Sequence, residues 1–153
     1  MKLLLKLAPW VLAVYIAYIF LWYLQFKFTG DEGSIGLFVI LTDWLGAHGY
    51  EKVMRIGTGS AELIASVLVL IPATQVIGGA LAACIMAGAI FFHVLSPLGI
   101  DPYGDGGVLF WEAVRVFLSG LVILALRREQ ALDYIRLVPP LARFAGLTAR
   151  GGL

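Results

Sequence analysis

Four long apolar segments constrain the fold of this chain more than any other feature of its sequence. They cover residues 7–26, 53–71, 76–95 and 108–126. A helix of about 20 apolar residues crosses the roughly 30 Å hydrocarbon core of a bilayer. Lipid offers no hydrogen bonds to the backbone, so a spanning segment of this length must form a helix. We therefore predict an all-α membrane protein built as a four-transmembrane-helix bundle.

The composition also favours a membrane protein and excludes several other classes. Hydrophobic residues make up 61% of the chain and charged residues 14%, whereas soluble domains contain about 25% charged residues. A formal net charge of +1 provides no field that would attract nucleic acid. The single cysteine, Cys84, rules out an intramolecular disulfide and a paired-thiol redox centre. We therefore expect this chain to lie in a lipid bilayer.

Lysine and arginine positions predict how the helices are oriented. Lys2 and Lys6 precede the first segment, several arginines follow the last, and the two longer loops are mainly acidic. Because basic residues stay on the cytoplasmic side, both termini are expected inside and both longer loops outside. The chain thus divides into a transmembrane domain, 1–128, and a cytoplasmic, amphipathic, basic tail, 129–153.

The first outer loop contains an apolar segment, 34–45, that is too short to span a bilayer. Thr29 and Glu32 before it have the spacing of a helix capping box. A short helix is therefore predicted here. It would lie in the membrane interface or re-enter the bundle.

Small residues repeat along the third apolar segment. Gly79, Ala83 and Ala87 recur every four residues, the spacing at which two membrane helices can approach backbone to backbone. The sequence leaves open whether this face packs within one chain or between two. A homo-oligomer or a partner membrane protein is therefore compatible with it.

Ionisable residues interrupt two of the apolar segments. Arg55 and Glu62 lie in the second, and Glu112 and Arg115 lie in the fourth. The i, i+7 and i, i+3 spacings place each pair on one helical face. The predicted orientation brings both pairs, with His93, into the outer half of the bundle. Because an unpaired charge there is costly, we expect these charges to pair between helices.

Two interpretations of this cluster remain open. It is either a salt-bridge network that only fixes the helix register, or the wall of a polar pocket open to the outer side. Lys27 and Glu32 pose the same choice. In one interpretation Lys27 extends to the membrane interface and Glu32 caps a helix. In the other, both residues belong to the polar cluster.

No metal site or resident cofactor is expected. His93 could form a two-histidine haem site only with His48, and Glu62, His93 and Glu112 are generic metal ligands, but neither set has a signature spacing. The sequence contains no nucleotide-binding loop, Ser/His/Asp array or zinc-binding helix motif. A quinone or a lipid is the ligand that such a pocket could hold.

A set of short motifs lies between residues 23 and 128. The motifs are Lys-Phe-Thr-Gly-Asp-Glu at 27–32, Arg-Ile-Gly-Thr-Gly-Ser-Ala-Glu at 55–62, Phe-His at 92–93 and Ser-Pro-Leu-Gly at 96–99. In these motifs the chain resembles the DoxX-like family of small bacterial membrane proteins. The resemblance implies a four-helix bundle in the bacterial inner membrane with both termini cytoplasmic. Some members of that family resemble subunits of thiosulfate:quinone oxidoreductases.

Two functions are compatible with the sequence. The first is a non-enzymatic accessory or ligand-binding subunit, with Glu62 and Glu112 as acceptors, Arg55 and Arg115 as their cations, and His93 as a donor at the rim. The second is a subunit of a quinone-linked membrane oxidoreductase. In that case the pocket would hold a quinone head group, and Glu62 or His93 would relay protons.

Overall fold

A computed structural model describes residues 2–137 of the chain, with side chains described from 6 to 136. This part of the chain is helical and contains no strand. Four of its helices are long and apolar enough to cross a membrane, which indicates a multi-pass membrane protein. The helices are α1 (Lys2–Thr29), α2 (Glu32–Trp44), α3 (Glu51–Leu70), α4 (Gln75–Leu95), α5 (Val108–Leu126) and α6 (Arg128–Leu137).

The helix bounds confirm the four predicted spans and the short helix in the first long loop. α5 covers the predicted residues 108–126, while α3 and α4 differ from their predicted ranges by one or two residues. α1 extends beyond the predicted span at both ends. The predicted tail begins as helix α6, and its remainder, 138–153, lies outside the described residues.

The four long helices form a closed bundle around an apolar core. α1 packs on α3 and α5, and α4 packs on the same two helices from the opposite side. The core includes Ile16 and Phe20 of α1, Val69 of α3, and Val116 and Ile123 of α5, all of them buried. Met86 of α4 joins the same cluster, so side chains from all four long helices meet in it, with alanines filling the narrower positions.

Glycines set the closest approaches between α4 and its neighbours. A Cβ atom placed on Gly78 would lie 2.2 Å from the backbone nitrogen of Val69 in α3. On Gly120 of α5 it would lie 2.6 Å from the carbonyl oxygen of Gly79. The predicted small-residue face thus packs within the chain at Gly79 and Ala83, whereas Ala87 is exposed.

The two ends of the bundle differ in construction. At one end, here the turn end, the Gln75 amide donates to the carbonyl of Pro9, and Gln130 of α6 donates to the carbonyls of Pro72 and Ala73. The other end, here the loop end, holds α2 and the loop between α4 and α5. The N-terminal part of α1 and helix α6 therefore share the turn end.

Helix α2 covers the loop end, but its cap differs from the predicted one. Its buried Phe38 and Leu41 pack against Leu98 of the α4–α5 loop. The cap is the carboxylate of Asp31, which accepts from the backbone N–H groups of Gly33 and Ser34. The prediction of a Thr29–Glu32 capping box is wrong, because α1 continues through Thr29. The Thr29 hydroxyl donates to the carbonyl oxygen of Gln25 in the same helix.

Candidate functional site

A cavity of about 660 Å³ lies at the loop end of the bundle, beneath α2. Its wall receives residues from α1 to α5 and from the α4–α5 loop, and most of them are apolar. Small-molecule sites commonly measure roughly 300–1,000 Å³, are mainly apolar and contain a few polar groups. Four of the predicted site residues line this cavity. They are Lys27, Glu62, His93 and Glu112.

Two residues that line the cavity, Gly57 of α3 and Cys84 of α4, are exposed, which indicates an opening between these two helices. Gly57 lines it, yet Gly57 lies on the same helical face as Val53 and Ile64, which are exposed on the outside of α3. Cys84 also lines it, seven residues before the exposed Phe91 on the outside of α4. In a bilayer this opening would face the hydrocarbon tails of the lipids.

Helix separation and small residues together create this space. α3 and α4 touch backbone to backbone at Val69 and Gly78, near the turn that joins them. Farther along, Gly57 and Gly88 line the cavity, and a Cβ atom added to either would meet no atom within 4 Å. The two helices therefore form a cleft that is closed at the turn end and open toward α2.

An ion pair between Lys27 and Glu62 lies in the cavity wall. The Lys27 Nζ atom is 2.9 Å from Oε2 of Glu62, whose side chain is only 4% exposed. The distance is that of an ion pair, and the buried Oε2 accepts no hydrogen bond from any other described residue. The Lys27 ammonium also lies 5.9 Å from the centre of the Tyr23 ring.

Arg55 has a different role from the one predicted. Its guanidinium donates to the carbonyl oxygen of Lys27, at the end of α1, and to the carboxylate of Glu51, one turn away on α3. The side chain is buried beside Gly30, where the chain leaves α1 with a positive φ of 74°. Arg55 therefore bonds to a carbonyl group at the C-terminal end of α1, as basic residues near helix C-termini do. It does not line the cavity.

Glu112 connects α5 to α1 rather than to α3. Its Oε2 accepts from the Tyr15 hydroxyl of α1 at 2.6 Å, and its Oε1 accepts from Arg115 at 2.5 Å. The Arg115 side chain is 58% exposed and lies outside the cavity. The predicted pairing of the α3 charges with those of α5 is therefore wrong, because each acid has a nearer partner.

His93 lies in the cavity wall and is buried, not at a rim. Its Nδ1 is 2.6 Å from the carbonyl oxygen of Gly99. A carbonyl can only accept, so Nδ1 carries the proton, and Nε2 of the neutral ring is an acceptor. The ring also meets Phe110 edge to face, with 5.7 Å between ring centres. One nitrogen thus holds the ring in place while the other is left for a ligand.

The structure does not assemble the haem or metal arrangements considered from the sequence. His48 is exposed and bonds to Asp43, away from the cavity that His93 lines. Within residues 2–137, no group of three or more His, Cys, Asp or Glu side chains comes together in a way that could hold a metal ion. Glu62, His93 and Glu112 share the cavity wall without forming such a group.

Glu32 is exposed in the first turn of α2 and does not line the cavity. Tyr103 of the α4–α5 loop does line it, although no sequence pattern indicated this residue. Its hydroxyl donates to the carbonyl oxygen of Gly33 at 3.1 Å and so ties the loop to α2. Burial, with the negative charges of Asp31 and Asp105 nearby, raises the pKa of Tyr103 above its ordinary value. The hydroxyl therefore stays protonated and remains a donor at neutral pH.

No protein-family model matches the chain, and neither the curated proteins nor the solved structures contain a significant match. The resemblance to the DoxX-like family accordingly stays a prediction from the short motifs. The geometry of the cavity is the basis for a functional proposal.

Proposed function

We propose that this chain is a membrane protein that binds a small amphipathic molecule in the cavity beneath α2. The Lys27–Glu62 pair in the wall of a largely apolar cavity is the observation that carries the proposal. The apolar wall suits a hydrocarbon body, and the ionisable groups suit a polar head. The proposed role is that of an accessory or ligand-binding subunit, without catalysis by this chain.

The cavity favours this role over a charge network that serves only to fix the helix register. Protein interiors are close-packed, so a pair that only joins two helices is expected to lie among tightly packed atoms. Here Gly57 and Gly88 leave open space in the same wall that holds Glu62. Arg55, by contrast, is enclosed by the end of α1 and fits the purely structural role.

The proposed location is the bacterial inner membrane, with both termini in the cytoplasm. The bias of lysine and arginine toward the two ends of the chain supports this orientation. The turn end would then face the cytoplasm, and the cavity would lie in the outer half of the membrane. A topology reporter fused after Arg150 should be located in the cytoplasm. A periplasmic location would reverse the proposed orientation.

A cavity-filling variant tests the binding role. Gly88→Leu places a side chain into open space, so the protein should fold normally but lose its ligand. Gly36→Leu is the matched control, because Gly36 lies on the exposed face of α2, has open space beside it and does not line the cavity. The measurement is mass spectrometry of small molecules extracted from each purified protein.

The expected result is one stoichiometric molecule from the wild type and from Gly36→Leu, and little from Gly88→Leu. Equal recovery of every extracted lipid from all three proteins would show that the cavity holds no specific molecule. The proposal would then fail, and the charge pair would be structural.

A quinone-linked oxidoreductase subunit is the second candidate, and the position of His93 favours it. Its Nε2, which no described residue bonds, and the carboxylate of Glu62 are two proton-accepting groups in one cavity wall. This role requires an electron carrier on a partner subunit, because the sequence contains no cofactor-binding motif. Recovery of a quinone as the extracted molecule, followed by its reduction in the membrane complex, would support this candidate over the first.

A further inference from the structure

We propose that the head group of the bound molecule is an uncharged hydroxyl, so that the ligand is a neutral hydroxyl-bearing lipid rather than an anionic or cationic amphiphile. The inference rests on the proposed function, since it names the class of molecule that the same cavity would hold. Three features of the wall lead to it. They are the hydrogen-bonding capacity of its polar groups, its charge balance and its opening toward lipid.

The polar groups of the wall suit a partner that both donates and accepts hydrogen bonds. The Lys27 ammonium has three N–H donors and no acceptor, whereas the Glu62 carboxylate only accepts. Their single contact, at 2.9 Å, uses at most one of the three N–H donors of Lys27 and part of the acceptor capacity of Glu62, so both keep unused capacity. A hydroxyl can accept from Lys27 and donate to Glu62 at the same time. Nε2 of His93 offers a second acceptor in the same wall.

The charges of the wall disfavour a charged head group. Among the described residues that line the cavity, Lys27 is the one lysine or arginine, and three carboxylates face it. The cation that neutralises Glu112, Arg115, lies outside the cavity. An anionic head would compete with Glu62 for Lys27 and meet the remaining carboxylates. A cationic head would compete with Lys27 for Glu62, because Arg115 already neutralises Glu112, and Asp31 is exposed and accepts from the backbone N–H groups that begin α2. An uncharged head avoids both costs, which are large where water is excluded.

The opening between α3 and α4 fits a ligand with a hydrocarbon tail. Gly57 and Cys84 mark this opening on the lipid-facing side of the bundle. A molecule dissolved in the bilayer could enter there without crossing water, and its tail could remain among the lipids. The head would then lie deeper, beside Glu62 and His93.

Cys84 provides a direct measurement, because it is the only cysteine in the chain and lines the opening. The rate of its reaction with a maleimide is measured in the full-length protein in lipid nanodiscs. Three dodecyl amphiphiles serve as matched probes: 1-O-dodecylglycerol, dodecyl phosphate and dodecylammonium. Only the dodecylglycerol should slow the reaction, and the concentration for half-protection should be about tenfold lower than for either charged probe.

Two variants show whether protection comes from the cavity. Gly88→Leu should abolish the protection by dodecylglycerol, and Gly36→Leu should leave it unchanged. Glu62→Gln, which replaces a carboxylate by an amide of similar shape, should reduce the preference for the neutral probe over dodecyl phosphate. Its circular dichroism spectrum must match that of the wild type, and if it does not fold, the three-probe comparison on the wild type decides alone.

The failures of the two proposals differ. Protection by dodecyl phosphate or dodecylammonium that equals or exceeds protection by dodecylglycerol, and that is lost in Gly88→Leu, would overturn the hydroxyl assignment while leaving ligand binding intact. Protection by none of the probes, together with no extracted molecule, would overturn both.

Discussion

The ammonium of Lys27, in the last turn of α1, lies 2.9 Å from the carboxylate of Glu62, in the middle of α3. This ion pair joins two helices that are separated in the chain by α2. It also forms part of the cavity wall, so stability and ligand binding share the same two side chains. Separating those two contributions requires variants that change one without the other.

Removing either member of this pair should destabilise the protein more than removing both. Glu62→Gln leaves a largely buried ammonium without its counter-ion, and Lys27→Met leaves a buried carboxylate without its own, each at a cost of about 3–5 kcal/mol. The double variant leaves neither charge without a partner. Its loss in free energy of unfolding should therefore be well below the sum of the losses of the two single variants. The measurement is a double-mutant cycle on the free energy of unfolding in detergent.

Arg128 and Glu129 supply the control for this cycle. Both side chains are exposed, and their atoms are 3.4 Å apart. An exposed pair of this kind contributes about 0–1 kcal/mol, so Arg128→Met with Glu129→Gln should show little coupling. A coupling energy for Lys27 and Glu62 no larger than this control would contradict the buried ion pair.

Tyr15→Phe should loosen the contact between α1 and α5. The substitution removes the hydroxyl that donates to Glu112 at 2.6 Å and leaves Arg115 as the partner of that carboxylate. Hydrogen bonds to charged groups contribute about 1.5–3 kcal/mol, and a loss within this range is expected. Tyr18→Phe is the matched control, because Tyr18 is exposed on the same helix. Equal thermal stability of the two variants would show that the Tyr15 hydroxyl contributes nothing to the packing.

Gly78→Ala should disrupt the bundle, whereas Gly57→Ala should be tolerated. A methyl group on Gly78 would meet the backbone of Val69 at 2.2 Å, and backbone cannot move aside as a flexible side chain can. α3 and α4 would have to separate. At Gly57 the same methyl group meets no atom within 4 Å, and alanine favours a helix over glycine by about 0.5–1 kcal/mol. Thermal unfolding of both variants tests the difference, and a Gly78→Ala protein as stable as wild type would refute the close helix contact.

The sequence predicts the helices well because their causes are local. The length and apolar character of residues 108–126 alone define α5, and Gly107 before it has a positive φ of 75° that ends the preceding loop. The apolar segment 34–45 likewise predicts α2, although the predicted cap is wrong. Asp31 rather than Thr29 caps that helix, because α1 continues through Thr29 and ends only at Gly30, which has a positive φ.

The partners of the charged residues could not be predicted, because they depend on how the helices are arranged around one another. The spacing of Arg55 and Glu62 places them on one face of α3, but it does not say which neighbour each one reaches. In the structure Arg55 reaches the end of α1, and Glu62 reaches Lys27. The cavity has the same origin, since the contact of Gly78 with Val69 sets where α3 and α4 separate.

The loop between α4 and α5 should lose order in acid through Asp101. Its Oδ1 accepts from the N–H of Asp105 at 2.9 Å, and its Oδ2 accepts from that of Gly106 at 3.1 Å. Desolvation raises the pKa of Asp101, but the hydrogen bonds from Asp105, Gly106 and Gly107 outweigh it and lower the pKa below its ordinary value. A lowered pKa in the folded loop means that the ionised carboxylate stabilises it.

This stabilisation is complete above the ordinary pKa of an aspartate, about 3.9, and is lost as the pH falls through the lower pKa of the folded loop. The amide signals of Asp105 and Gly106, followed by NMR, should shift together in that range, and their hydrogen exchange, corrected for intrinsic pH dependence, should accelerate. In Asp101→Asn both amides should exchange faster at neutral pH and show no such transition. A transition that persists unchanged in Asp101→Asn would assign it to another group, and the carboxylate would then have no part in ordering the loop that carries Tyr103 to the cavity.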